Sequence, residues 1–315
     1  MEWHVWDFPD NIRVYFDSSF RELLYKKLIK ICRTRIEIAR RLESSKETIR
    51  RSLYLGHRNN RRAYISMKLV KNIVKVFGEQ LGNEFLENLE KSIVFYRSWN
   101  GWNVKNPILP IKENPMLYSI VFHLLGDGNA SVRHSPFYSN KCKELIEEFI
   151  GNLQIFGNVE SKIKYRKDEL LIVYFPKAVS DILKHILKSN FTFPDNLPER
   201  IFQASNECKV SAIKAFVDDE GSISSSFCIT QKSSNLLKQF KELLGSIGIE
   251  SGKVCVNNNI HKLYILKRSY KKFDTMIKLT HVNKRQLLTK KIMEKDMLFG
   301  SRSYRFHYQQ RPTTY

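Results

Sequence analysis

Ile120-Val-Phe-His-Leu-Leu-Gly-Asp-Gly128 and Ile213-Lys-Ala-Phe-Val-Asp-Asp-Glu-Gly221 decide how this chain of 315 residues folds. Each stretch is an apolar run that closes on an acid followed by glycine. Glycine in that place permits a left-handed C-terminal turn, so each run is expected to be a helix that stops with its acid at the tip. One such stop is an ordinary helix end. Two of them, with Asp127 and Glu220 lying 93 residues apart, mark an internal repeat.

The repeat extends on both sides of the acids. Lys141, Leu145, Ile146, Phe149, Leu153, Phe156 and Gly157 align with Lys232, Leu236, Leu237, Phe240, Leu244, Ile247 and Gly248, every pair offset by 91. Leu171 to Phe175 falls on Lys262 to Leu266 with the same offset, and Ile182 falls on Phe273. Each copy reads as helix, two strands, helix, two strands, helix. From Ser222 to Gln231, Ile223, Phe227 and Ile229 alternate with Ser224, Ser226, Cys228 and Thr230, giving a strand with one apolar and one polar face.

The two acid-glycine stops resemble the paired motifs of the LAGLIDADG homing endonucleases of the single-chain kind, over roughly 106–300. The lead-in Leu197-Pro-Glu-Arg-Ile-Phe-Gln-Ala-Ser and the segment Ile229-Thr-Gln-Lys232 carry the same resemblance. It implies a pseudo-twofold pair of αββαββα units, an α+β fold whose sheets form a saddle on duplex DNA. It also implies phosphodiester hydrolysis with divalent metal, Mg2+ or Mn2+, held by Asp127 and Glu220. Gln231 and its counterpart Asn140 stand where the family often places a residue that orders water, and Lys284 lies near its basic position. Physical reasoning agrees: a helix C-terminus is the negative end of its dipole, and two carboxylates brought together there repel unless a cation lies between them. Magnesium, which takes hard oxygen ligands and keeps several waters, suits such a place. On the strands, Arg133, Lys162, Lys164, Arg166, Ser224, Ser226, Lys253, Lys262, Lys267 and Arg268 would extend the contact with DNA. Three positions depart from the family pattern: Phe122 at a normally small position, Lys214, and Asp219, whose charge is expected to point outward.

Upstream, Leu23, Leu24, Leu28 and Ile31, then Ile36, Ile38, Ala39 and Leu42, then Ile49 and Leu53, then Ile65, Leu69, Ile73 and Val76 predict four short helices over 1–98. Ser44 or Ser45 can cap the third. The stretch from Ile36 to Leu53 resembles the helix-turn-helix of lambda-repressor-like DNA-binding domains, which implies a small all-α domain. Lys46, Thr48, Arg50 and Arg51 would then reach base edges, and Arg58, Arg61 and Arg62 would meet phosphates. Asn-Gly-Trp and three prolines over 99–115 predict a linker, followed by repeats at 116–206 and 207–298 and a basic tail at 299–315. Trp3, Trp6, Trp99 and Trp102 read as core or linker anchors, and the lone histidines show no zinc-ligand spacing.

The formal charge of +21 comes from 53 Lys plus Arg against 32 Asp plus Glu, a balance that favours a polyanionic partner, double-stranded DNA first and RNA second. The longest uncharged run, Asn114 to Gly126, has 13 residues, too few to cross a bilayer. Five cysteines without a C-x-x-C pair are expected to be free thiols in a reducing, cytoplasmic setting. The start at Met1 and the Thr-Thr-Tyr315 end lack splicing-domain termini, so a freestanding monomer with internal symmetry is expected. The leading expectation is therefore a site-specific DNA endonuclease, with a non-cleaving DNA-binding regulator and an intron-RNA maturase as alternatives.

Overall fold

The computed structural model describes residues 1–54, 64–99, 101–131 and 135–306, with the side chains of Asn257 and of 295–306 left aside. Arg58, Arg61, Arg62 and Arg133 lie outside the described residues.

Both repeats fold as the sequence predicts. The first comprises α6 (Pro115–Gly126), β7 (Gly128–Asn129), β8 (Phe137–Asn140), α7 (Lys143–Leu153), β9 (Asn158–Val159), β10 (Lys162–Tyr165), β11 (Leu171–Tyr174) and α8 (Lys177–Leu187). The second comprises α9 (Asn206–Glu220), β12 (Gly221–Ile223), β13 (Phe227–Gln231), α10 (Ser234–Ser246), β14 (Cys255–Asn257), β15 (Ile260–Tyr264) and α11 (Tyr270–Ile277). Their four-stranded antiparallel sheets have orders β10-β11-β8-β7 and β14-β15-β13-β12, the same order in equivalent strands. The polar-faced strand expected from Ser222 to Gln231 is instead a hairpin. Ser224 N–H donates to the Ser226 carbonyl at 3.0 Å, so Ser224 and Ser226 lie at its bend rather than on a strand face.

Helix α6 begins at Asn114, whose side chain accepts from Leu117 N–H at 2.9 Å, and Pro115 occupies the first turn where its missing N–H costs nothing. Every residue from Leu117 to Leu125 is buried, as a helix apolar on all sides requires. It packs against α9, with Phe122 edge-on to Phe216 at 6.2 Å. The two helix starts are also clasped: Arg200 donates to both Glu113 carboxylate oxygens at 3.0 Å, and the Ser211 hydroxyl donates to the Pro115 carbonyl at 2.8 Å.

The glycines after the acids act differently from the expectation. Gly221 has φ −75°, and Gly128 is absent from the positive-φ residues. They are needed for space: a Cβ on Gly128 would run into the Leu124 backbone, and one on Gly221 would lie 2.5 Å from the Val217 carbonyl oxygen.

The N-terminal region departs from an all-helical domain. It holds β1 (Glu2–Trp3), β2 (Ile12–Phe16), α1 (Ser18–Cys32), α2 (Arg35–Arg41), α3 (Lys46–Ser52), β3 (Ile65–Ser66), α4 (Met67–Leu81), α5 (Asn83–Lys91) and β4 (Ile93–Ser98). The expected linker carries β5 (Val104–Lys105) and β6 (Ile111–Lys112), because prolines forbid helix but tolerate short extended pieces. β9 of the first repeat completes a five-stranded sheet, β3-β2-β4-β5-β9. Asp181 of α8 accepts from Asn11 (2.7 Å) and Ser98 (2.6 Å), so the N-terminal region and the first repeat share one body. At the other end, α12 (Val282–Phe306) runs past 298, where the tail was expected to begin.

All five cysteines are free, and three are buried. Among the described residues no helix is long and apolar enough to cross a membrane.

Gly128→Ala is expected to destabilise the chain by about 1–3 kcal/mol through this backbone collision, whereas Gly151→Ala, whose Cβ meets nothing, should cost less. Urea midpoints of the two variants decide it.

Candidate metal centre and DNA interface

Asp127 caps α6 and Glu220 is the last residue of α9, so the two predicted acids stand at neighbouring tips of packed helices. Each is met by one of the two amides that the resemblance placed near the metal. Asn140 at the end of β8 donates Nδ2–H to Asp127 Oδ2 at 3.2 Å, and Gln231 at the end of β13 donates Nε2–H to Glu220 Oε1 at 2.8 Å. Lys284, on α12, donates its ammonium to the carbonyls of Val217, Asp218 and Asp219, where a cation complements the negative helix end.

Asp219 overturns its expected outward orientation. Its side chain is fully buried and crosses to the first repeat, where Tyr138 donates to Oδ1 at 2.7 Å and Asn140 at 3.1 Å, and His123 Nδ1 lies 2.9 Å from Oδ2. The reason is space. Gly126 stands opposite, and a Cβ there would come within 2.9 Å of the Asp219 Cβ. Asn140 therefore bridges Asp127 and Asp219. Burial works against a charged His123, but the charge and hydrogen bond of Asp219 outweigh it and raise the imidazole above its ordinary value. Lys214, another of the three departures, pairs with Glu148 of α7 at 2.8 Å, and Thr280 donates to the same carboxylate at 2.6 Å. Asp218 accepts from the N–H groups of Thr280 and His281.

Crowding shifts both tip acids. Glu220 is pushed up to about 8, by burial first and then by Asp127 and Asp219. Asp127 keeps solvent access at its residue surface, yet the protein around it and the charge of Asp219 raise it to about 6. Glu220 and Gln231 line an open cavity of about 640 Å³ bounded on its far side by Phe193, Pro194 and Asp195. That loop carried no sequence signal. His123 and Tyr138 were also missed; only their burial in a helix and a strand that face Asp219 reveals them.

The predicted DNA-contacting residues are less concentrated. On α3, Ser45 caps by accepting from Thr48 N–H at 2.9 Å, and Ala39 is buried in the preceding helix. Lys46, Thr48 and Arg51 are exposed there, and Arg50 is half-buried. Arg50 and Arg51 both donate to Glu47 of their own helix. Lys162 and Lys164 on β10 are exposed, as are Lys253 and Lys267; Arg268 is ion-paired with Glu250.

Residues 207–278, from α9 to the end of α11, match the family described as LAGLIDADG-like domain. The chain is 25% identical over 203 residues to the glutamine--fructose-6-phosphate aminotransferase [isomerizing] of Methanocaldococcus jannaschii, a match that takes in 58% of this chain and 18% of that protein. The chain thus spans less than a fifth of that curated relative. Among solved structures, I-DmoI in complex with DNA and Mn aligns with a TM-score of 0.38 at 17% identity, over 52% of this chain and 96% of that one. The N-terminal LAGLIDADG domain of DUF199/WhiA aligns with a TM-score of 0.39 at 15% identity, over 54% of this chain and 86% of that one.

Two outcomes follow for the acids. A carboxyl whose folded value lies above its ordinary one binds more protons folded than unfolded, so its stabilising contribution is complete below the unfolded value and is lost as pH rises. Without added metal, stability should fall as pH rises from about 4.5 to about 8, the interval set by Glu220, and Glu220→Gln should flatten that fall in pH-dependent thermal melts. Asp219→Ala strands the buried Tyr138 and His123 and is expected to cost about 3–5 kcal/mol. It also removes a negative neighbour, so titration of Glu220 in the variant should move below 8.

Proposed function

We propose that this chain, which carries a LAGLIDADG-like domain in its second repeat, is a site-specific endonuclease that hydrolyses phosphodiester bonds in double-stranded DNA with a divalent cation. One observation carries the reading: two acids from separate repeats stand at adjoining helix tips, each held by a sheet amide and each shifted upward by burial and then by neighbouring carboxylates. Such an arrangement favours protonation unless a cation compensates.

The donor set fits a hard divalent ion. Asp127 and Glu220 offer carboxylate oxygens, and magnesium needs only one or two such ligands when water and phosphate fill the rest. When bound, the ion supplies Lewis-acid polarisation of the phosphate and lowers the pKa of a bound water. The chain's own residues do the positioning. Asn140 and Gln231 fix the acids' orientation and can hold a water through their amide oxygens. Lys284 keeps positive charge beside the acids without occupying them, since its N–H groups are spent on carbonyls. Asp219 ties the second helix to the first repeat, so the tips cannot drift apart. The excess positive charge gathers the DNA backbone. In this reading α3 lies in the major groove beyond the cut site and lengthens recognition, and the chain acts as a monomer with internal twofold symmetry.

A non-cleaving DNA-binding regulator is the alternative, since the α2–α3 pair and the excess positive charge would serve DNA binding whether or not the helix tips hold a cation. Incubation with magnesium or manganese and DNA carrying the gene's own flanking sequence separates the two. Cutting should occur in the wild type, and Asp127→Asn or Glu220→Gln should lower it at least 100-fold while leaving duplex affinity within about twofold. Binding without cutting in either metal would establish the regulator, and tighter binding to folded RNA than to duplex at equal salt would favour a maturase.

A further inference from the structure

Strands β2 and β4 turn Ile12, Val14, Phe16, Ile93, Tyr96 and Ser98 into the core, and leave Arg13, Tyr15, Phe95 and Arg97 on the half-exposed face. Antiparallel register sets Arg13 directly opposite Arg97 and Tyr15 opposite Phe95. Like charges in direct cross-strand opposition destabilise a sheet. Among the described residues neither arginine has a carboxylate partner. Both rest on aromatic rings instead: Arg13 stacks 3.2 Å over Trp99, and Arg97 lies 5.6 Å over Tyr64 while donating to the Trp99 carbonyl at 3.3 Å. Trp99 itself is 64% exposed, so it is not the anchor the sequence suggested. The repulsion registers in Arg13, whose pKa is lowered by burial and then by Arg97.

The face continues into the first repeat. A cavity of about 600 Å³ joins the two, lined by Arg97, Trp102, Asn103, Lys105, Ser161 and Lys162 among others. Its one acid, Glu160, is paired with Lys105 at 2.5 Å, and the Lys162 ammonium sits 4.7 Å above the Trp102 ring. Among the described residues, two polar atoms of this lining, Asn103 Oδ1 and Ser161 Oγ, are buried without a hydrogen-bond partner. The Ser161 hydroxyl, buried beside these cations, has a proton to donate to an anionic oxygen.

We infer that the face from Arg13 to Lys162 binds the phosphates of duplex DNA as it passes from the first repeat onto the N-terminal sheet, an inference that rests on the DNA-binding reading proposed above. Lys162 opens β10, the exposed edge strand that also carries Lys164, so the face is continuous with the proposed DNA surface. Duplex is favoured over single strand because Trp99 and Trp102 already carry Arg13 and Lys162 on their rings. What the face offers is fixed guanidinium and ammonium N–H groups, which suit phosphate oxygens, rather than bare rings for base stacking.

The test uses the full chain, a long random-sequence duplex and a single strand of the same sequence, each titrated across a salt series. Arg13→Gln combined with Arg97→Gln should weaken duplex binding several-fold and reduce the slope of log affinity against log salt by about 2, and Lys162→Gln by about 1, at about 0.9 per phosphate contact. Thermal melting should stay level or rise, since the substitutions remove like-charge opposition. An unchanged duplex affinity and slope, or a loss confined to the single strand, overturns the inference. Failure of the wild-type chain to bind duplex at all overturns it together with the DNA-binding reading, whereas tight duplex binding indifferent to these substitutions overturns this inference alone.

Discussion

The approach of α6 to α9 at Gly126 and Asp219 is the contact on which the rest depends. A residue with any side chain at 126 would press on the Asp219 Cβ, and an apolar side chain at 219 would leave Tyr138 and His123 without their acceptor and Asn140 with Asp127 alone. Glycine on one helix and a carboxylate on the other solve both problems together. Helices that meet this closely bring their last residues together, and those residues are Asp127 and Glu220. The same carboxylate that joins the repeats through hydrogen bonds also raises the charge density between the tips. Structural cohesion and the crowding of negative charge thus have one source.

The electrostatics follow a gradient from centre to edge. Carboxylates gather at the helix tips, countered locally by Lys284 through carbonyls and by His123 through Asp219. Lysines occupy exposed edge positions on β10. A polyanion would be held at the rim while its phosphates meet negative tips at the floor, a contact that is unfavourable without a cation between them. In the proposed reading, that opposition makes a divalent ion the condition for bringing DNA to the tips.

The N-terminal region belongs to this body rather than hanging from it. β9 lends its backbone to the N-terminal sheet, and Asp181 reaches from α8 to Asn11 and Ser98. A shared sheet fixes direction as well as distance, so the α2–α3 pair and the Arg13–Arg97 face are presented at set angles to the repeats. If DNA is recognised over several surfaces, as proposed, that rigidity spares the binding entropy that a flexible connection would cost at each.

Periodicity and repetition made the two αββαββα units legible, since an offset of 91 preserves apolar spacing whichever way the chain packs. The acids were legible for the same reason, and Asn140 and Gln231 as equivalent positions near them; that each amide donates to one acid came from the structure. The N-terminal strands were not, because two- to six-residue strands such as β3 and β4 are too short to separate from helical apolar spacing. The glycines were identified correctly, but the reason for them was visible only in three dimensions: they make room for a backbone contact and do not turn left-handed. Asp219 shows the limit most clearly. By sequence a charged residue beside another acid belongs in water, and only the tertiary structure, by placing a glycine and three hydrogen-bond donors across from it, makes burial the lower-energy choice. The sequence by itself determined the repeat and the acids at the helix ends, because both are local patterns; what lies between those acids was decided by packing, because it depends on residues that meet from opposite repeats.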